Sequence, residues 1–310
     1  MRRTNWNWAE RLVIGVARGM AMGCADVVPG VSGGTIAVLL GIYERLLAVV
    51  RNITAAGRRM LRGDWRASCQ QLKAVDWWLL LPLLAGIAGT ILLLASTIET
   101  QLMERPETVK GLFCGLIAAS LVVALQLFNW QNFTRMVMTS ISAIATFMLL
   151  GLQVGPVDDP SLLMIAGAAA VAICAMILPG ISGAFLLLIM GMYEATINIV
   201  SELRYADMAI FVFGAVVGLA LFSSLLGWLL DRAHDTVMAV LVGLMLGSLR
   251  VLWPWSDSVD VTSYHESEHL PGTNLQWPET QEWLAPTATA VVSFAIVVTL
   301  TRLVNRKTSK

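Results

Sequence analysis

The chain repeats itself at an offset of 150 residues, and the repeated segment is built around a helix breaker. Residues 24–44 align with 174–194 at nine identical positions out of twenty-one. The pairs include Pro29-Gly30 with Pro179-Gly180, Ser32-Gly33 with Ser182-Gly183, and Gly41, Tyr43 and Glu44 with Gly191, Tyr193 and Glu194. A second match, at offset 128, sets Thr108-Val109, Gly115-Leu116 and Ser120 against Thr236-Val237, Gly243-Leu244 and Ser248. Such a chain is expected to fold as two related units, residues 1–155 and 156–310. The offset shrinks because the first unit carries a longer basic connection.

The solvent for this duplication is set by composition. Of the 310 residues 57% are hydrophobic and 14% charged, with mean hydropathy +0.72, whereas soluble domains carry about 25% charged residues. A spanning helix needs about 20 apolar residues. Six stretches qualify: Trp77 to Thr97, Val109 to Phe128, Met136 to Val154, Met208 to Leu230, Thr236 to Trp253 and Ala285 to Leu303. Since backbone groups in hydrocarbon must be satisfied internally, an all-α polytopic membrane protein is expected.

Two further apolar regions, 12–50 and 161–200, are broken in the middle by the duplicated Pro-Gly. Proline removes a donor and bars the preceding residue from helix, and glycine permits a sharp reversal. Each region reads either as two spans with a tight turn or as a re-entrant hairpin of two half-helices. Each unit is then one hairpin plus three spans, and three is odd, so the second copy must be inverted. Inverted repeats with broken helices are typical of secondary transporters, and that context favours re-entrance.

Net charge is zero, with 21 basic and 21 acidic residues, which gives no reason to expect nucleic acid. Sorted by the expected topology, seventeen of the twenty-one basic residues fall on one side, and the Trp255 to Leu284 loop is acidic with no Lys or Arg. The positive-inside rule makes the rich side cytoplasmic, with both termini there, in the bacterial plasma membrane. Arg18 interrupts the apolar run after Met1-Arg2-Arg3, which argues against a cleaved signal. Cys24, Cys69, Cys114 and Cys174 have no metal-ligand spacing, so no disulfide, metal or cofactor is expected.

Ser32-Gly33-Gly34-Thr35 is placed to open the second half-helix, with Ser32 as N-cap. The amides there, with the helix dipole, would form an anion site without a basic side chain, and Ser182 and Gly183 would do the same in the other copy. Charge inside a membrane is costly and therefore functional by default, which singles out Arg18 and Asp26, and then Glu44 and Glu194 at the expected ends of the second half-helices. Arg18, Asp26 and Thr35 become Ala168, Met176 and Phe185 in the second copy, so the first hairpin should bind charge more strongly.

The duplicated Pro-Gly-x-Ser-Gly followed by Gly-x-Tyr-Glu resembles the bacterial polyprenyl-phosphate transporter (PopT-like) family from about Glu10 to Asn305, most specifically over Ala25 to Thr35. The resemblance implies return of undecaprenyl phosphate from the outer to the cytoplasmic leaflet, for reuse in cell-wall and surface-glycan synthesis. It places head-group recognition on Pro29, Gly30, Ser32, Gly33, Gly34 and Thr35, and on Pro179, Gly180, Ser182 and Gly183. The implied partners are the polyprenyl phosphate lipid and the bilayer. Proton coupling through Asp26, Glu44 or Glu194 is a further expectation.

Two other classes compete. Gly30-Val31-Ser32-Gly33-Gly34 satisfies the Gly-x-Ser-x-Gly nucleophile elbow, but the elbow requires a strand-turn-helix and a nearby base. His234, His265 and His269 all lie in expected loops, so an intramembrane serine hydrolase is disfavoured and no enzyme is expected. A secondary transporter or channel for a small anion or organic acid fits the residues equally well without the family resemblance.

Overall fold

The computed structural model describes residues 8–28, 31–126, 132–152, 155–157, 159–255, 275, 277–278 and 283–308, and the regular elements among them are helices. The first unit contains α1 (Trp8–Val27), α2 (Gly33–Leu39), α3 (Tyr43–Leu61), α4 (Trp65–Lys73), α5 (Trp77–Glu104), α6 (Pro106–Leu125) and α7 (Phe133–Leu149). The second contains α8 (Leu162–Ile177), α9 (Gly183–Ile189), α10 (Tyr193–Ser201), α11 (Tyr205–Ser248) and α12 (Leu284–Thr308). By length and composition α5, α6 and α11 can cross a membrane, and α7, α8 and Leu284–Thr299 are shorter apolar helices.

Each expected span is occupied by helix. Two of them fall on α11, a 44-residue helix kinked at Ala233 (φ −143°, ψ 49°). Phe128 and Val154, the expected ends of two spans, and most of the acidic loop lie outside the described residues. The expected basic connection from Arg45 to Lys73 is helical. Asp64 caps α4 by accepting from Ala67 N (3.0 Å), and Ser68 Oγ donates to Ala56 O of α3 (2.9 Å).

The hairpins differ from two equal half-helices. The first arms are long, 20 residues in α1 and 16 in α8, or about 30 and 24 Å at 1.5 Å per residue. The returning arms α2 and α9 have only seven residues each. Both are stopped by a glycine in the left-handed region, Gly41 (φ 64°) and Gly191 (φ 69°), a conformation that ends a helix without a Cβ penalty. The chain then bends, by 111° between α9 and α10. Glu44 and Glu194 therefore start α3 and α10 rather than ending the returning arms.

The repeat seen in the sequence recurs in the packing. Glycines allow α1 to lie against α5 and α8 against the first limb of α11. A Cβ on Gly86 would stand 2.2 Å from Val16 O, and one on Gly214 would stand 2.2 Å from Ala166 O; these are the same pair of positions at offsets 128 and 150. Small residues let helix backbones approach where no hydrophobic effect drives them together.

The last helix of each unit, α7 and α12, packs on the other unit. Ser142 Oγ of α7 donates to Val240 O of α11, and Ser293 Oγ of α12 donates to Leu112 O of α6, both at 2.9 Å. Thr139 Oγ1 donates to Ala239 O (3.0 Å) and Thr289 Oγ1 to Thr108 O (3.1 Å) on the same two seams.

Substituting Gly86→Val or Gly214→Val forces two backbones apart. Overpacking of this kind costs about 1–3 kcal/mol, so each variant should show a lower thermal unfolding midpoint in detergent or nanodiscs, and the two should show similar losses.

Candidate functional site

The two hairpin tips are bonded to each other. Ser32, in extended conformation (φ −131°, ψ 133°), caps α2 by accepting from Gly34 N at 3.1 Å. The same hydroxyl donates to Leu178 O of the other tip at 3.2 Å. Thr35, fully buried, answers in the opposite direction, its Oγ1 accepting from Gly180 N at 2.8 Å. Gly180 is needed twice over: its φ is 91°, and a Cβ there would meet Met245 Cα at 2.7 Å. Ser182 caps α9 by accepting from Phe185 N at 3.4 Å. Pro29 and Gly30 lie outside the described residues, whereas Pro179 is buried at the second tip.

Asp26 reaches over the start of α2, where Oδ1 accepts from Gly33 N at 2.7 Å. Position 33 has to be glycine for this, because a Cβ would stand 2.7 Å from Oδ2. In the second copy Met176 takes the place of Asp26, with Cγ 2.7 Å from where a Cβ of Gly183 would be. The amides expected to be open for a ligand are thus engaged by the protein. Gly33 N donates to Asp26, Gly34 N to the Ser32 side chain and Thr35 N to Ser32 O (2.9 Å).

A cavity of about 150 Å³ adjoins this junction, lined by Asp26, Gly33, Gly34 and Tyr43 on one side and by Ile173, Met176 and Ile177 of α8 on the other. Arg18 is not brought to it. Eight residues before Asp26 on α1, it lies about 12 Å away along the axis. It is half-buried, has no acidic partner among the described residues, and sits within electrostatic reach of Arg45.

Glu44 belongs to a second cavity of about 270 Å³, which shares Leu47 with the first and is also lined by Arg51, Asp231 and His234. Glu44 Oε1 pairs with His234 Nε2 at 2.8 Å, and His234 Nδ1 with Asp235 at 3.2 Å. Arg51 pairs with Asp231 and Arg135 with Asp235, both at 2.8 Å. The network ties α3 and α7 to the kink in α11. Its key residue, His234, had only its position between two spans to mark it in the sequence. Glu194, at the equivalent position of the second copy, is half-buried in α10.

Among the described residues, twelve helices, several of them apolar candidate spans, with two broken hairpins joined tip to tip, have the construction of a polytopic membrane protein. Residues 22–270 match the VCA0040-like family, described as undecaprenyl phosphate translocase-like, and the chain belongs to that family. It is 36% identical over 255 residues to the "Polyprenyl-phosphate transporter" of Vibrio cholerae, covering 82% of each chain. It is 29% identical over 258 residues to the protein of the same name from Staphylococcus aureus, covering 78% of this chain and 86% of that one. No solved structure matches it.

Two predictions follow from the geometry. Thr35→Val leaves the buried Gly180 N–H without an acceptor, which costs about 1–3 kcal/mol; the unfolding midpoint should fall, and Thr35→Ser should largely restore it. The hydrogen bond that His234 donates to Glu44 raises the His234 pKa above 6.5, with Asp235 adding to the effect and burial opposing it. The charged pair therefore stabilises the fold fully below pH 6.5, and this contribution fades as pH rises through the raised value. The difference in unfolding midpoint between wild type and His234→Gln should be largest at acid pH and close at alkaline pH.

Proposed function

We propose that this protein is a multi-pass membrane transporter, not an enzyme, that returns undecaprenyl phosphate from the outer to the cytoplasmic leaflet of a bacterial plasma membrane. The observation that carries the site is the junction of the two hairpin tips, Ser32 with Leu178 and Thr35 with Gly180, beside a cavity holding the Asp26 carboxylate. The substrate class rests on the family and on the two relatives named for polyprenyl phosphate.

In this reading the units are inverted repeats, the hairpins are re-entrant, and both termini are cytoplasmic. A phosphate cannot cross about 30 Å of hydrocarbon unaided, since moving such an ion into that medium costs on the order of 20 kcal/mol in the idealised Born limit. The Gly33 amide, once released by Asp26, replaces part of its lost hydration while the polyprenyl chain stays in lipid.

Asp26 gives the site a cycle. Its carboxylate occupies Gly33 N–H, the group an anionic head group would take. Phosphate entry requires that carboxylate to leave, and protonation of Asp26 removes the competing charge. In this reading proton coupling runs through Asp26. Glu44, held by His234, and Glu194 would act at a distance, by adjusting how the hairpins sit.

Reconstituted protein with labelled undecaprenyl phosphate in one leaflet should move the lipid, more slowly for Ser32→Ala. With Asp26→Asn the lipid should still move but should no longer respond to an imposed pH gradient. Uptake of a water-soluble anion with no protein-dependent lipid movement would overturn the proposal in favour of a small-anion transporter.

A further inference from the structure

We propose that Tyr43 is a head-group ligand, its hydroxyl donating to a phosphate oxygen bound in the cavity beside the hairpin tips. The assignment rests on the phosphate-lipid reading above and adds a residue to it. Tyr43 is the first residue of α3, placed by the Gly41 turn and by Ile42 N donating to Ala37 O at 2.9 Å. It is only 6% exposed, and its hydroxyl is buried with no hydrogen-bond partner among the described residues. Buried polar atoms are almost always paired, because an unmade hydrogen bond leaves the full desolvation cost standing. An orphaned hydroxyl on a residue that lines a cavity therefore calls for an acceptor.

The surroundings define that acceptor. Tyr43 lines the same cavity as Asp26, Gly33 and Gly34, with Ile173 and Met176 opposite. At about 150 Å³ the space lies below the roughly 300–1,000 Å³ of a drug-sized site, so it suits a compact group rather than a polyprenyl chain. Around it stand two donors, the Gly33 amide, which the Asp26 carboxylate now takes, and the phenol, while the Gly34 amide is held by the Ser32 hydroxyl. A tetrahedral anion rich in acceptors and lacking donors completes this set once Asp26 moves aside, and hydrogen bonds to such an anion are the strong, charge-assisted kind. The apolar wall from α8 faces the first carbons of an ester-linked chain.

The test uses the full-length protein in nanodiscs, with undecaprenyl phosphate, the uncharged undecaprenol and inorganic phosphate as probes. For Tyr43→Phe, affinity for the phosphate lipid should fall about tenfold or more, while undecaprenol binding stays as in wild type. Without ligand the variant should unfold at the same temperature or higher, since it loses an unsatisfied buried hydroxyl. Undiminished binding of the phosphate lipid overturns the assignment, and so does an equal loss for both lipids, which marks a packing role. A loss confined to inorganic phosphate overturns it in favour of a free-anion site. If wild type itself binds neither lipid, the transport reading falls and this assignment with it; a wild type that binds beside an unchanged variant removes only Tyr43.

Discussion

A buried amide must find an acceptor within the protein, and the hairpin tips are organised around that fact. Breaking a helix in an apolar setting frees backbone groups that must be paired again nearby. Here the repairs come from three side chains of the first hairpin. Asp26 takes Gly33 N–H, the Ser32 hydroxyl takes Gly34 N–H and donates across to Leu178 O, and Thr35 takes Gly180 N–H. The bonds that keep the break tolerable also join the two units, so local repair and global assembly are one set of contacts.

The division of labour between copies follows from this. Where the first hairpin has Asp26 and Thr35, the second has Met176 and Phe185. Thr35 was singled out in the sequence as a phosphate ligand, yet in the structure it spends its acceptor on the partner tip. The first hairpin is the polar member that satisfies both tips, and the second presents its backbone to be satisfied. The same bias appears at the other end of the first hairpin, where Glu44 meets His234, a residue replaced by Pro106 at the equivalent position of the first unit.

Periodic apolar runs were enough to read a helical chain with several apolar candidate spans. The apolar stretches, the Pro-Gly breaks and the two offsets are visible in the sequence, and the offset of 150 relates the seam threonines Thr139 and Thr289. What could not be read depends on contacts between distant residues or on single dihedral angles. The brevity of α2 and α9 is set by Gly41 and Gly191 adopting positive φ, while a window of apolar residues runs on unbroken through Leu40 and Met190. The orphaned Tyr43 hydroxyl and the His234 network are products of tertiary placement. Sequence reasoning reached Glu44 and passed over the tyrosine beside it.

The crossing of α7 and α12 has one more consequence. Each is sequence-adjacent to its own unit but fastened to the other, α7 to the second limb of α11 and α12 to α6. Any body that moves as a whole is therefore assembled from both ends of the gene product. The two units are therefore interleaved, and a cut between residues 155 and 156 would fall between helices that pack on each other's unit.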